Sequence, residues 1–429
     1  MSRFDDAREL PDRSRVEADI AIIGGGAAGI TVARSLANTK LRVCVVEGGG
    51  LSYDAASQAL YEGENAGIEY PLAVNRMRFL GGSSNHWGGY CVPLQPIDFE
   101  ARDWLPYSGW PFGREELDPY YGRACEVVQV GSPRFDDPAY WDERTPDPLL
   151  PPGTGRMRSR FVQFSPPTHF GTRYRADLEK ARNIRVLLNA NVVNIAAKPN
   201  GRKVSHLDVR TLTGRRLTVK AKRFVLAVGG LENPRLLLLS DGVVKPGLGN
   251  HNDLVGRFFM EHPHVSGFGE IVLADLKRMP PIYRERLNIE GRLAQAAFVP
   301  SSQFLRERRL LNAVFMLGLA GYYKAGVPVY LSAEKTASHR DMLRAARPFL
   351  IDSHHPARPE DLTDEGVWLG IGSACEQVPN PDSRVGLATE LDALGLRKIR
   401  LDWRLSEQGR RSLVEHMRSL ALELGALGK

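Results

Sequence analysis

A chain of 429 residues that is 43% hydrophobic and 25% charged has the composition of a soluble globular protein, long enough for two interleaved domains. Its net charge of +7 is spread over short, interrupted clusters (Arg215 and Arg216, residues 220–223, residues 306–309), which argues against a nucleic-acid groove and leaves a mild pull on anionic substrates. Cys44, Cys91, Cys125 and Cys375 are scattered, without CxxC or zinc spacing, so no metal site is expected and a reduced, cytoplasmic chain fits best. The charged N-terminal segment has no apolar core of a signal peptide, and no apolar run reaches membrane-spanning length.

Residues 19–49 read ADIAIIGGGAAGITVARSLANTKLRVCVVEGG. Ile20, Ile22 and Ile23 predict a strand buried on both faces, and Val43, Val45 and Val46 predict the next one. Gly24, Gly26 and Gly29 have the GxGxxG spacing of a dinucleotide-binding turn, with Ala28 inside it. The first glycine allows the tight turn, the second lets backbone approach a pyrophosphate, and the third lets the helix pack closely. A helix beginning near Ala27 points its N-terminal amides at the phosphates. Glu47, followed by Gly48, stands where a carboxylate accepts both ribose hydroxyls, and an acid there disfavours NADP. The motif alone does not separate NAD from FAD.

The stretch RFLGGSSNHWGGYCVP, from Arg78, is too rich in glycine and serine for a helix or an ordinary strand. Such a loop brings many backbone amides close to something flat or phosphorylated. An aromatic-rich segment and a helix from about 114 follow, then a surface excursion rich in Pro and Asp at 136–155. Residues 185–197 read as one strand, which opens an antiparallel meander through 203–212 and 215–221. RFVLAVGG is then a buried strand ending in glycines, and Pro234 is expected to open a leucine-rich helix. Beyond 264, VSGFGEIVL, LLNAVFMLGLA and KIRLDWRL are strand candidates around a polar helical insert at 333–363. Ser406 and Gly425 bracket a last helix, with Leu413, Met417, Leu420, Ala421 and Leu424 at helical spacing.

Six segments in order, IIGGGAAG with EGG, LGGSSNHWGG, GWPFGREELDPYY, VLAVGGLENPRLLLLS, VGRFFMEHPH and EQVPNPDSRVGL, resemble the glucose–methanol–choline (GMC) oxidoreductases. The NHWGG loop is most similar to the bacterial sugar-dehydrogenase and pyranose-oxidase side of that family. The resemblance implies FAD as cofactor and oxidation of a CH–OH group of an alcohol, polyol or sugar. It implies an α/β fold, α+β overall: a Rossmann-like FAD-binding domain with a parallel sheet and a β-meander over residues 1–264, carrying an excursion at 100–160. A substrate domain on an antiparallel sheet is implied for 265–429. Gly81, Gly82, Ser83, Ser84 and Asn85 take the flavin-facing role, in a loop that also holds Arg78, Trp87 and Gly88. Val193 matches the residue whose backbone reads the adenine edge, and Ala227 and Gly229 match a second turn packed on the dinucleotide. His86 stands where some members attach the flavin covalently; the plainer alternative is a histidine that hydrogen-bonds within a tight loop.

Members of that family continue into a segment with a catalytic histidine, for which this sequence has no counterpart after Gly425. The catalytic residues are therefore unassigned, and the second domain is expected to be C-terminally incomplete. The chain alone is expected to be poorly active and poorly stable, and a partner chain could supply the missing segment. His262 and His264 read as structural, because nothing nearby in sequence forms a base with an orienting partner. His354 and His355 read as solvated and Glu376 as structural. The leading expectation is an FAD-dependent oxidoreductase, truncated or half of a split enzyme. The alternative is an inactive flavin-binding or interaction subunit of the same fold.

Overall fold

The computed structural model describes residues 4–151, 153–265, 270–273, 279–319 and 367–426. The chain divides into two compact units whose segments alternate along the sequence. The first comprises Met1–Gly88, Pro167–Phe259 and Asn380–Arg404, and the second Gly89–Pro166, Met260–Pro379 and Leu405–Lys429. The fold class is mixed α/β, as expected from the alternation of apolar runs, glycine turns and helices.

The first unit is built on a parallel five-stranded sheet in the order Phe4–Asp6, Ile184–Leu188, Val43–Val46, Ile20–Ile23, Arg223–Leu226. Its central strands are short and apolar because both faces are covered; all of Val43–Val46 is buried. The helix Ala27–Ser35 follows the Ile20–Ile23 strand through the glycine turn. The meander Asn191–Ala197, Val204–Arg210 and Arg216–Lys220 forms a second sheet, extended by Ser14–Glu17 running parallel to its last strand.

The run at 185–197 is not one strand. It breaks at Asn189, whose φ of 54° turns the chain from the parallel sheet into the meander. Pro234 does not open its helix either. The helix spans Gly229–Leu239, starting on the glycines that end the preceding strand, and carries Pro234 inside. KIRLDWRL belongs to this unit: Arg397–Asp402 pairs with Arg384–Leu391 and with Gly63–Asn65 in a three-stranded sheet.

The second unit is an antiparallel sheet in the order His264–Val265, Val367–Cys375, Ala313–Leu319, Arg292–Pro300, Met157–Phe164, Tyr90–Cys91. Glu270–Leu273 pairs with Val367–Cys375, and Leu287–Ile289 with Arg292–Pro300. One face buries Phe161, Phe298, Phe315, Leu317, Leu369 and Ile371 together with Ile282 and Tyr283, and with Leu420 and Leu424 of the helix Glu407–Ala426. Residues 100–160, expected as an excursion from the nucleotide domain, lie in this unit. The insert expected at 333–363, with His354 and His355, lies outside the described residues, as do residues 266–269 of the strand expected at 265–273.

The buried stripe of the Glu407–Ala426 helix is more polar than its leucine spacing suggests. It consists of Ser412, His416, Ser419, Leu420, Glu423 and Leu424. Leu413 and Met417 are partly buried against the core, whereas Ala421 is exposed.

Candidate functional site

The predicted glycines come together in the first unit. Gly24 turns with φ +102°, and a Cβ there would lie 2.5 Å from the Ala227 carbonyl oxygen. At Gly29 a Cβ would come within 1.9 Å of the Gly24 carbonyl oxygen, so the helix reaches this close to the turn only with glycine. Gly26 differs: the nearest atom to its Cβ position is the Gly82 Cα at 4.0 Å, so its upper side is open. The Gly26 position forms a parallel bridge with Gly81, and Gly81 N–H donates to the Gly25 carbonyl at 2.7 Å. Two glycine segments more than fifty residues apart in sequence thus present their backbones side by side. No side chain caps the Ala27–Ser35 helix, which leaves its first amides open to an anion.

Glu47 is buried at the end of the Val43–Val46 strand and holds both flanks of the turn. Its Oε2 accepts from Gly25 N–H at 2.6 Å and its Oε1 from Gly49 N–H at 2.8 Å. Each oxygen keeps a second lone pair for a ligand hydroxyl. Arg78 lies beside Gly48 and donates from Nη2 to Asn191 Oδ1 at 2.8 Å; its buried Nε has no partner among the described residues.

The Arg78–Gly88 loop is held from within. Gly81 and Gly82 adopt φ of 102° and 56°, and Gly82–Asn85 forms a short 3-10 turn. Asn85 Nδ2 fastens it by donating to the carbonyls of Leu80 and Gly82. Ser84 Oγ donates to the Gly81 carbonyl at 2.7 Å and accepts from Phe170 N–H at 3.1 Å. Trp87 donates its indole N–H to the Thr168 carbonyl at 3.2 Å. His86, Ser83 and Gly88 are exposed.

Val193 is skipped in the pairing of its strand: Val192 faces Val209 and Asn194 faces Asp208, leaving Val193 as the extra residue of a bulge. Ala227 donates to the Ile23 carbonyl, and Gly229 has φ +83°. Sequence reasoning missed the Thr168–Gly171 segment, which braces the loop; a Cβ at Gly171 would sit 2.1 Å from the Leu80 carbonyl oxygen. It also missed Gly25, Gly49 and Asn191. The phrase THFG carried the only hint of a second contact on the loop.

The expectation that His262 lacks an orienting partner is overturned. In the second unit its Nδ1 lies 3.0 Å from Glu261 Oε2, and its ring meets that of His264 edge-on at 4.6 Å between centroids. The Glu261 hydrogen bond raises the pKa of His262, an exposed residue, above the ordinary imidazole value. Burial, aided by His262, lowers that of His264. Glu376 has the structural role expected of it: its carboxylate pairs with buried Arg102 and accepts Asn312 N–H at 2.8 Å. Burial pushes the Cys44 thiol up to about 12, an inert core residue. No group of His, Cys, Asp and Glu among the described residues is arranged to hold a metal ion. No described helix is long and apolar enough to cross a membrane.

The residues present fit a dinucleotide: open glycine backbone, an uncapped helix start, a carboxylate with spare lone pairs and an orphaned arginine donor. The FAD dependent oxidoreductase (DAO) family pattern matches residues 19–254. The 2-methyl-1,2-propanediol dehydrogenase of Mycolicibacterium austroafricanum is 26% identical over 313 residues, 57% of this chain and 55% of that protein. The chain thus spans little more than half of that relative's length. Paromamine 6'-oxidase of Streptomyces fradiae is 26% identical over 437 residues, covering 90% of this chain and 72% of that one. The solved structure of pyridoxine 4-oxidase from Mesorbium loti shares the fold, with a TM-score of 0.50 at 19% identity over 96% of this chain and 80% of that one. With the match reaching from the Ile20–Ile23 strand through the second glycine turn, this chain belongs to the FAD dependent oxidoreductase family.

Proposed function

We propose that the chain works as a GMC-type oxidoreductase that removes a hydride from a CH–OH carbon of an alcohol, polyol or sugar. The meeting of the Gly24–Gly26 turn with the Gly81–Gly82 loop, beside Glu47, carries this reading. Relatives named 2-methyl-1,2-propanediol dehydrogenase and paromamine 6'-oxidase support this choice of substrate class. FAD, when bound, supplies the hydride acceptor. Glu47 accepts the ribose hydroxyls, and the open amides of the Ala27–Ser35 helix, with Ala28, Gly26 and Gly29, receive the pyrophosphate. Arg78 adds a cation next to Gly48. Val193, the extra residue of its strand's bulge, reads the adenine edge through its backbone, and Ala227 and Gly229 close the other side. Gly81, Gly82, Ser83, Ser84, Asn85, Trp87 and Gly88 form the wall for the ring system. His86, exposed and with no partner for its imidazole among the described residues, is the group for a covalent attachment.

Two measurements test the reading. Acid precipitation of FAD-loaded protein should leave the yellow colour in the pellet if His86 is bonded to the flavin, and His86→Ala should release it to the supernatant. Anaerobic mixing with a panel of 1,2-diols, neutral sugars and aminosugars should bleach the flavin's visible band for at least one class. Protein that holds FAD and is reduced by none is instead a flavin-holding subunit without turnover.

A further inference from the structure

The segment GWPFGREELD builds a feature that the proposed reaction does not use. In the second unit an open groove of about 700 Å3 is lined by Phe99, Trp110 and Phe112 and by the acids Glu100, Glu115 and Asp118. Trp110 is 54% exposed and Phe112 37%, although large aromatic side chains are normally most valuable inside. The three rings form a tilted cluster, with centroids 5.5 Å apart for Trp110 and Phe112, 5.9 Å for Phe99 and Trp110, and 6.1 Å for Phe99 and Phe112. Phe99 is buried beneath and fixes the other two, and the backbone N–H of Trp110 donates to the Phe99 carbonyl at 3.0 Å. Trp87, Trp104 and Trp141 each give their indole N–H to a carbonyl, whereas that of Trp110 has no partner among the described residues.

The charge in the groove runs against that of the chain. Three carboxylates and the single cation Arg114 line it, in a protein of net charge +7. Glu100 is paired with Arg306 and Asp118 with Arg114, so their charge is partly spent. Glu115 has no cationic partner among the described residues. Its carboxylate folds back over Gly113, where a Cβ would lie 2.2 Å from Oε2, so only glycine at 113 leaves it there. An unpaired carboxylate beside exposed aromatic faces is the chemistry that holds an organic cation: the rings attract it through their quadrupoles and cover its C–H surface, and the carboxylate balances its charge. The volume suits a small molecule.

We propose that this groove binds a small organic ammonium ion, seated on Trp110 and Phe112 with Glu115 as its counter-ion. The site stands independently of the redox reaction, and its test needs no turnover. Tetramethylammonium serves as the cationic probe and tert-butanol as the neutral one of similar methyl surface. Ligand-observed NMR on FAD-loaded protein should detect tetramethylammonium binding that tert-butanol does not displace. Trp110→Ala should weaken it about tenfold and Glu115→Gln severalfold. Both positions are exposed, so melting temperatures should stay at the parental value, and a fold defect is thereby told apart from a lost site. Equal binding of the two probes would overturn the proposal, as would binding untouched by Trp110→Ala. Concentration-dependent self-association abolished by Trp110→Ala, with no binding of the cation, would assign the groove to a second copy of the chain and overturn it too.

Discussion

Gly29 and Glu47 are two positions on which the nucleotide turn depends. Gly29→Ala would drive a methyl group to 1.9 Å from the Gly24 carbonyl oxygen, a clash of a Cβ against backbone that no rotamer relieves. It is expected to cost about 3 kcal/mol and to lower FAD affinity in step, measured by urea unfolding and by fluorescence titration. Glu47→Gln turns one of two accepting oxygens into a donor facing an amide that is itself a donor. An affinity for FAD reduced about tenfold or more, with the far-UV spectrum kept, is the expected result; unchanged affinity would remove Glu47 from the site. These residues were legible in the sequence because each glycine is dictated by a local approach and the acid by its distance from them. Gly25, Thr168 and Asn191 were not legible, since their roles arise from neighbours far along the chain.

Two elements carry buried polar groups that the apolar pattern hides. In the first unit the Gly229–Leu239 helix is tied to the three-stranded sheet by Glu232, Arg235 and Asp392. Glu232 pairs with Arg76 at 2.8 Å and Arg235 at 3.2 Å, and Arg235 with Asp392 at 2.7 Å. Burial alone would raise the Glu232 pKa, but the arginines outweigh it and hold the carboxyl below its ordinary range. Glu232→Ala leaves two buried guanidiniums short of a counter-charge and should cost about 3–5 kcal/mol in denaturant unfolding. In the second unit His416, 1% exposed on the Glu407–Ala426 helix, donates from Nε2 to the Leu311 carbonyl at 2.7 Å and is neutral. Burial depresses its pKa from the ordinary 6.5, only partly offset by that hydrogen bond. The unfolded chain therefore binds the proton more readily. The contribution of His416 is full above about pH 6.5 and is lost as pH falls below it. His416→Phe should flatten the fall in melting temperature between about pH 6.5 and 5; an identical slope in both proteins would contradict the assignment. The helix itself was legible from its leucine spacing, but not its polar seam, because Ser, His and Glu read as solvent-facing until their partners are known.

For the whole molecule, the type of sheet in each part was readable from the sequence, but not the path of the chain between the parts. Strand and glycine signals are local, whereas the grouping of 384–402 with the nucleotide unit rests on pairing across more than three hundred residues: Ile399 opposite Gly63 and Leu401 opposite Asn65. A fragment of residues 1–264 lacks these strands and also Asp392, the partner of Arg235. It should melt without cooperativity and hold FAD poorly, whereas a sharply melting fragment with full affinity would show that the interleaving is dispensable. The central claim is that two glycine segments and Glu47 jointly hold FAD. The most direct test is the visible spectrum of the purified chain after incubation with excess FAD and desalting. A retained flavin spectrum at about one FAD per chain, lost in the Glu47→Gln and Gly29→Ala proteins, is the predicted result; a colourless parental chain would contradict it.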